Sequence, residues 1–262
     1  MMSDIHTIKV SRLEDVLSAP AAVGQIIGNS VWWRGQRDLD WHLVPSVHRP
    51  AYRGFERALY VHFRRMARSR SGACPIGDDP RDWLPFAQHH RLPTRLLDWS
   101  RSPLVALHFA LEEGPPGPQD TNAALWALNP HGLNKNQLSV EQVALIGEPR
   151  LLPLFAPLEG QPANGGEATW IAALLMNETD IRMMVQQAEV TVHGTPTGID
   201  ELEGASDFVA KLLIPSQYKQ RFRAQLVDSG FDSSQLFPDL DHLAENLRRQ
   251  AEQGVLGAGR AK

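Results

Sequence analysis

The residues best suited to chemistry fall in three short stretches. In "VWWRGQ", Val31 to Gln36, two tryptophans run straight into Arg34 and Gly35. A guanidinium presents a planar fork of donors that takes phosphate or carboxylate in bidentate fashion, which lysine cannot imitate. In "QHHRLPTRLLDWS", Gln88 to Ser100, polar groups crowd together: His89, His90, Thr94, Arg95, Asp98 and Ser100. Histidines and a carboxylate can move protons, and hydroxyls can orient a ligand. The plainer readings are that Arg95 pairs with Asp98 and that the histidines cap or pack. The third stretch, "QQAEVTVHG", puts Glu189 two residues after Gln187 and just ahead of the alternating Val190-Thr191-Val192. Glu189 either faces a cleft or is a solvent-facing residue of an edge strand.

Elements must position these groups. "SVWWRGQ" is a short β-type run that sets Arg34 at or near a strand end. Alternation puts Trp32 and Arg34 on one face and Trp33 on the other. The Trp32 indole is then placed to stack on the guanidinium, Trp33 anchors the strand in the core, and Gly35 lets ligand or backbone approach closely. Residues 81–90 read as a helix, and "RLPTRLLDWS" reads as an extended, turn-rich link. "SPLVALHFALEE" predicts a helix with Ser102 as N-cap and Pro103 in the first turn. Free N–H groups at such a start attract anions. "AALWALN" reads as a buried strand, Glu189 to His193 as a strand, and "DFVAKLLIPSQYKQRFRAQLVDSG" as strand then helix. Ser11 and Glu14 have capping-box spacing ahead of an N-terminal helix. Residues 130–166 show weak periodicity and read as a loop-rich insert, with "APLEGQPANGGEAT" as mobile surface. The tail from 251 to 262 reads as disordered.

Composition sets limits. The chain has 262 residues, 42% hydrophobic and 21% charged, with a net charge of -4. That suits a globular domain and lacks the basic balance of a dedicated nucleic-acid binder. Local basic clusters do occur: Arg57, Arg64, Arg65, Arg68 and Arg70 lie on one helical stretch, either a solvated face or a phosphate-binding one. A single cysteine, Cys74, excludes an intrachain disulfide and a four-thiolate metal site. The start lacks a signal-peptide pattern, and no apolar run spans a bilayer. A cytoplasmic protein is expected, without membrane contact and without a metal. Neither standard phosphate loop is present, and neither is the hydrolase G-x-S-x-G elbow.

Trp33-Arg34-Gly35, "QHHRLPTRLLDWSRSPLVALHFAL", "QQAEVTVHG" and "LFPDLDHLAENL", in that order, resemble the FRG domain, a bacterial and phage family named for an aromatic-Arg-Gly motif. Trp33 stands where phenylalanine or tyrosine is usual, Ser100 where threonine is common, and Arg91 where glycine is common. Arg91 puts in doubt a left-handed turn there. The resemblance covers residues 25–250, after an N-terminal helical extension, 1–24. Its layout is in turn similar to ADP-ribosyltransferases, with "TRLLDWSRSPLVALHFA" as the strand-to-helix segment and Gln187-Ala188-Glu189 as the glutamate strand. What this implies is an α+β fold, with a small mixed or mostly antiparallel sheet or sheets and flanking helices. It also implies an NAD-dependent ADP-ribosyltransferase-like effector of toxin or phage-defence type. Trp33, Arg34, Gly35, Thr94, Arg95, Ser100 and Gln187 would hold NAD; Arg34, Glu189, His89, His90 and Asp98 would serve the reaction. A protein or nucleic acid would be the acceptor. The alternative is a non-catalytic module for a phosphate-bearing ligand or nucleic acid.

Overall fold

A computed structural model describes residues 5–112, 121–160, 168–178, 181–252 and 254. Its order begins β1 (His6–Lys9), α1 (Leu13–Ile27), β2 (Trp32–Gln36), α2 (Glu56–Ala67), α3 (Pro80–His89), β3 (Leu96–Ser100) and α4 (Pro103–Leu111). It continues β4 (Ala123–Leu128), α5 (Pro130–Leu138), β5 (Ala144–Leu145), α6 (Leu152–Glu159), β6 (Ile171–Leu175), α7 (Ile181–Gln186) and β7 (Ala188–His193). It closes β8 (Val209–Ile214), α8 (Ser216–Asp228), α9 (Ser233–Leu236) and α10 (Leu240–Glu252).

The strands form one sheet in the order β1-β8-β4-β2-β3-β7-β6-β5. The inner pairings are antiparallel, and the edge pairs β1–β8 and β5–β6 are parallel. The fold is α+β. β2 pairs with β4 from Trp32 to Gln36, and β3 pairs with β7 from Leu96 to Ser100. Between β2 and β3 the only paired residues are Trp33 and Ser100. One sheet is thus made of two halves that part beyond that pair.

Three apolar clusters hold the halves. On one face, α1 and α4 pack on Trp33, Leu125 and Leu212. On the same face of the other half, α2, α3 and α6 cover Leu96, Val190 and Val192. On the opposite face one cluster spans both halves, from Trp32 and Trp126 to Leu97, Trp99 and Ile171. Trp32 and Trp33 therefore do face opposite sides. β1 and α1 belong to the same sheet and core as the rest, through β8 and the first cluster.

Local signals explain most helix starts. Asp79 accepts from Arg81 N with Pro80 following it, and Ser102 accepts from Val105 N with Pro103 following it. At α1 the cap is one residue off the Ser11–Glu14 spacing: Asp15 Oδ2 accepts from Ser11 N and Arg12 N, both at 2.9 Å. The link before α4 is a strand, β3. The stretch expected to be a loop-rich insert holds α5, β5 and α6. Residues 161–167 of the segment expected to be mobile, and 253 and 255–262 of the tail, lie outside the described residues.

Candidate functional site

The site begins where the sheet parts. His193 N donates to Arg95 O and Arg101 N to Gln187 O, so these residues of β3 and its ends face β7. Alternation turns the backbone groups of Asp98 toward β2. No strand N–H of β2 returns to them. Instead Arg34 Nη1 donates to the Asp98 main-chain oxygen at 2.7 Å. Arg34 lies mid-strand in β2, yet beyond the last β2–β3 pair, so its guanidinium fills the split. Its partner is this carbonyl rather than the Trp32 ring expected to stack on it.

A cleft of about 300 Å³ opens there. Arg34, Asp98 and Ser100 line its base, and Val105, Ala106 and Phe109 of α4 form one wall. Trp41 and Arg37 stand opposite, with the guanidinium 5.5 Å from the indole centroid. Arg49, Arg182 and Gln186 complete the lining. Gly35 also lines it, but its role is packing: a Cβ there would stand 2.5 Å from Ala110 N and nearer still to Ala106 O. Bare glycine lets α4 lie on β2.

The cleft gathers four arginines: Arg34, Arg37, Arg49 and Arg182. Among the described residues no carboxylate lies within 4.0 Å of the guanidinium of Arg34 or Arg49. Arg34 Nε is buried with no hydrogen-bond partner. Burial pushes the Arg34 pKa down to about 10; Asp98 raises it and Arg49 lowers it further. At that value it remains cationic at neutral pH. Burial likewise lowers Arg49. At the mouth, partial burial raises the Glu112 carboxyl, against the pull of Arg37 and Arg182.

Asp98 is held from below. Leu96 N donates to Thr94 Oγ1 at 3.2 Å, and Thr94 Oγ1 donates to Gln88 Oε1 at 2.6 Å. Gln88 Nε2 then donates to Asp98 Oδ1 at 2.5 Å. Ser100 lines the cleft with its hydroxyl engaged, donating to Gln186 O at 2.7 Å and accepting from Ser102 N at 3.0 Å.

The structure gathers some of the anticipated residues and disperses others. Trp33, Arg34, Gly35, Asp98 and Ser100 meet in the cleft, and Thr94 reaches it only through Gln88. Arg95 is buried and pairs with neither Asp98 nor the cleft: Nε and Nη2 donate to Glu56 at 2.8 and 2.6 Å, and Nη1 donates to Leu154 O. Glu189 is neither in this cleft nor solvent-facing. It stands opposite Trp99 in register, on the far face, with its carboxylate 3.7 Å from Arg101 Nε. Burial raises its pKa, Arg101 opposing. Its neighbour Ala188 is the residue that lines the cleft. Gln187 is exposed in a left-handed turn, φ 48°, and Gln186 takes the place at the wall. His89 and His90 end α3 outside the lining, with His90 edge-on to Phe86 at 4.8 Å. Arg91 keeps the left-handed turn, φ 64°, without glycine.

In α2 and just after it, Arg64 and Arg68 are tied to the Gly77–Asp78 turn, and Arg70 to Met66 O. Among the described residues no cluster of three metal-ligating side chains occurs, and no helix is long and apolar enough to cross a membrane. Gln88, Arg37, Trp41, Arg49, Glu112 and Arg182 were not singled out by sequence as site residues. Gln88 and Trp41 do flank the motifs, but nothing local to Arg49 or Arg182 connects them with Arg34.

Fold and site together define an α+β protein with an arginine-lined cleft at a parted strand pair. Residues 29–117 match the FRG domain family model, so the chain carries an FRG domain there, spanning β2, β3 and α4. No curated protein and no solved structure matches the chain.

Proposed function

We propose that the cleft binds a phosphate-bearing ligand of the nucleotide class. Arg34 and Arg49 take the phosphate, and Trp41 and Phe109 flank the remainder. The observation that carries this is the half-buried Arg34 guanidinium, which lines the cleft with no carboxylate within ion-pair distance and leaves its Nε–H without a partner. Even partial desolvation of a charge without a counter-ion carries a cost, and a ligand anion supplies what the protein withholds. An arginine fork fits a phosphate in both charge and shape.

NAD is the first nucleotide to test, because the ADP-ribosyltransferase-like layout calls for it. Cleaving its ribosyl bond needs a carboxylate near the oxocarbenium-like centre. Glu189 lies outside this cleft, so Asp98 and Glu112 are the carboxylates at hand. The arrangement supports binding more directly than it supports ribosyl transfer.

The experiment is titration of NAD and of pyrophosphate, followed by tryptophan fluorescence, with nicotinamide release measured in parallel. Arg34→Lys keeps the fold and loses about tenfold or more in affinity, the worth of a charge-assisted hydrogen bond. Wild-type affinity in Arg34→Lys would refute the assignment.

A further inference from the structure

Asp98 and Arg34 are neighbours in one cleft, yet they do not form an ion pair. The guanidinium bonds the Asp98 main-chain oxygen and leaves the carboxylate alone. That carboxylate is exposed and steered. Thr94 donates to Gln88 Oε1, which fixes the amide so that Nε2 points to Asp98 Oδ1. Among the described residues no donor reaches Oδ2. One oxygen is thus held by the protein, and the other is exposed and open to a ligand donor.

We propose that Asp98 reads ligand hydroxyls, and that the ligand class is a phosphorylated ribose with free vicinal hydroxyls. This rests on the reading that Arg34 and Arg49 take a phosphate. An ionised carboxylate only accepts hydrogen bonds, so its partner is a donor. The surrounding arginines disfavour an ammonium group, so the donor is neutral, and on a phosphate-bearing ligand of the nucleotide class the ribose hydroxyls are such donors. Gln88 and Thr94 are positioning residues: they aim Asp98 and do not touch the ligand. A site built to bond a hydroxyl discriminates strongly against the analogue lacking it.

The test is calorimetric titration with three probes: AMP, 2′,3′-dideoxy-AMP and inorganic pyrophosphate. Wild type binds AMP at least about tenfold tighter than the dideoxy form. Asp98→Asn brings that ratio near one while binding pyrophosphate at least as well as wild type, since it removes a negative charge and no phosphate ligand. Gln88→Ala and Thr94→Val lower the ratio without weakening pyrophosphate, and Thr94→Ser restores it. A merely structural role would weaken all three probes together. If wild type binds pyrophosphate but does not distinguish AMP from its dideoxy form, the inference falls and the anion site stands. If wild type binds none of the three, the anion site falls and the inference with it.

Discussion

Gly35→Ala tests the architecture of the cleft most directly. The added Cβ would lie 2.5 Å from Ala110 N and nearer to Ala106 O, where ordinary contact begins at 3.4 Å. Both obstacles are helix backbone, so no side chain can swing aside. α4 must retreat from β2 by about 1–1.5 Å, and even a gap of about 0.5–1 Å forfeits a quarter to a half of each dispersion contact across it. The helix buries Ala106, Leu107, Ala110 and Leu111 completely against the sheet and α1. Overpacking of this kind costs about 2–4 kcal/mol. For a chain of this size, that lowers the melting temperature by roughly 5–15 °C.

The assay is urea or thermal denaturation of wild type, Gly35→Ala and Gly72→Ala. A Cβ on Gly72 meets nothing within 4 Å, so this control stays within about 0.5 kcal/mol of wild type. Ligand affinity should fall in Gly35→Ala as well, because Val105, Ala106 and Phe109 move with the helix. If Gly35→Ala unfolds together with the Gly72 control, the glycine is not what admits α4.

Other outcomes follow from buried and titrating groups. Glu56→Gln strands the Arg95 guanidinium, whose side chain is 8% exposed; breaking a buried pair from one side lowers stability by about 3 kcal/mol, read as a shifted urea midpoint with unchanged slope. His42 is raised by its hydrogen bond to Asp200. Its contribution is therefore complete below the unfolded value of 6.5 and is lost as pH rises through the higher folded value. His42→Asn should flatten that decline in a pH series of urea midpoints. His193 has the opposite sign, because burial lowers it well below 6.5 and keeps it neutral. Stability then falls as pH drops below 6.5, by up to about 1.4 kcal/mol per pH unit for one proton. His193→Gln should remove that acid slope, and persistence of the slope would assign it elsewhere.

What the sequence discloses depends on how far apart the deciding residues lie. α3 and α4 are legible because their caps and prolines are local. β4 is legible because a strand buried on both faces is an unbroken apolar run. The 130–160 region misleads because proline reads as a breaker, while Pro130 sits in the first turn of α5 behind the Asn129 cap and another proline opens α6. β3 passes for a link because its five residues, with a central aspartate, become a strand only against β7, from Ala188 to Val192. Arg95 meets Glu56, far away in sequence, while the nearer Asp98 carboxylate is held by Gln88. Glu189 lies one position from Ala188, and that single step turns it from the Arg34 cleft to the opposite face, where it lines a second cavity with Trp32 and Arg101.

The aromatic-Arg-Gly motif then has a structural meaning for each residue in turn. Trp33 makes the single β2–β3 pair, with Ser100. Arg34 supplies the donor to the carbonyl that the parted ladder leaves unbonded, and Gly35 admits the helix that walls the opening. Arg34 thus bridges the split that the strand ladder leaves open. That gives the guanidinium two duties that compete: its Nη1 secures the sheet, while its Nε and charge are left over. Arg34→Ala should therefore loosen the β2–β3 junction as well as abolish anion binding. Arg34→Lys, which can reach the carbonyl but has no fork, should separate the two effects. Hydrogen exchange at Trp33 and Ser100 would measure the first and pyrophosphate titration the second. If lysine restores neither, or restores both, the division of labour within the guanidinium is wrong.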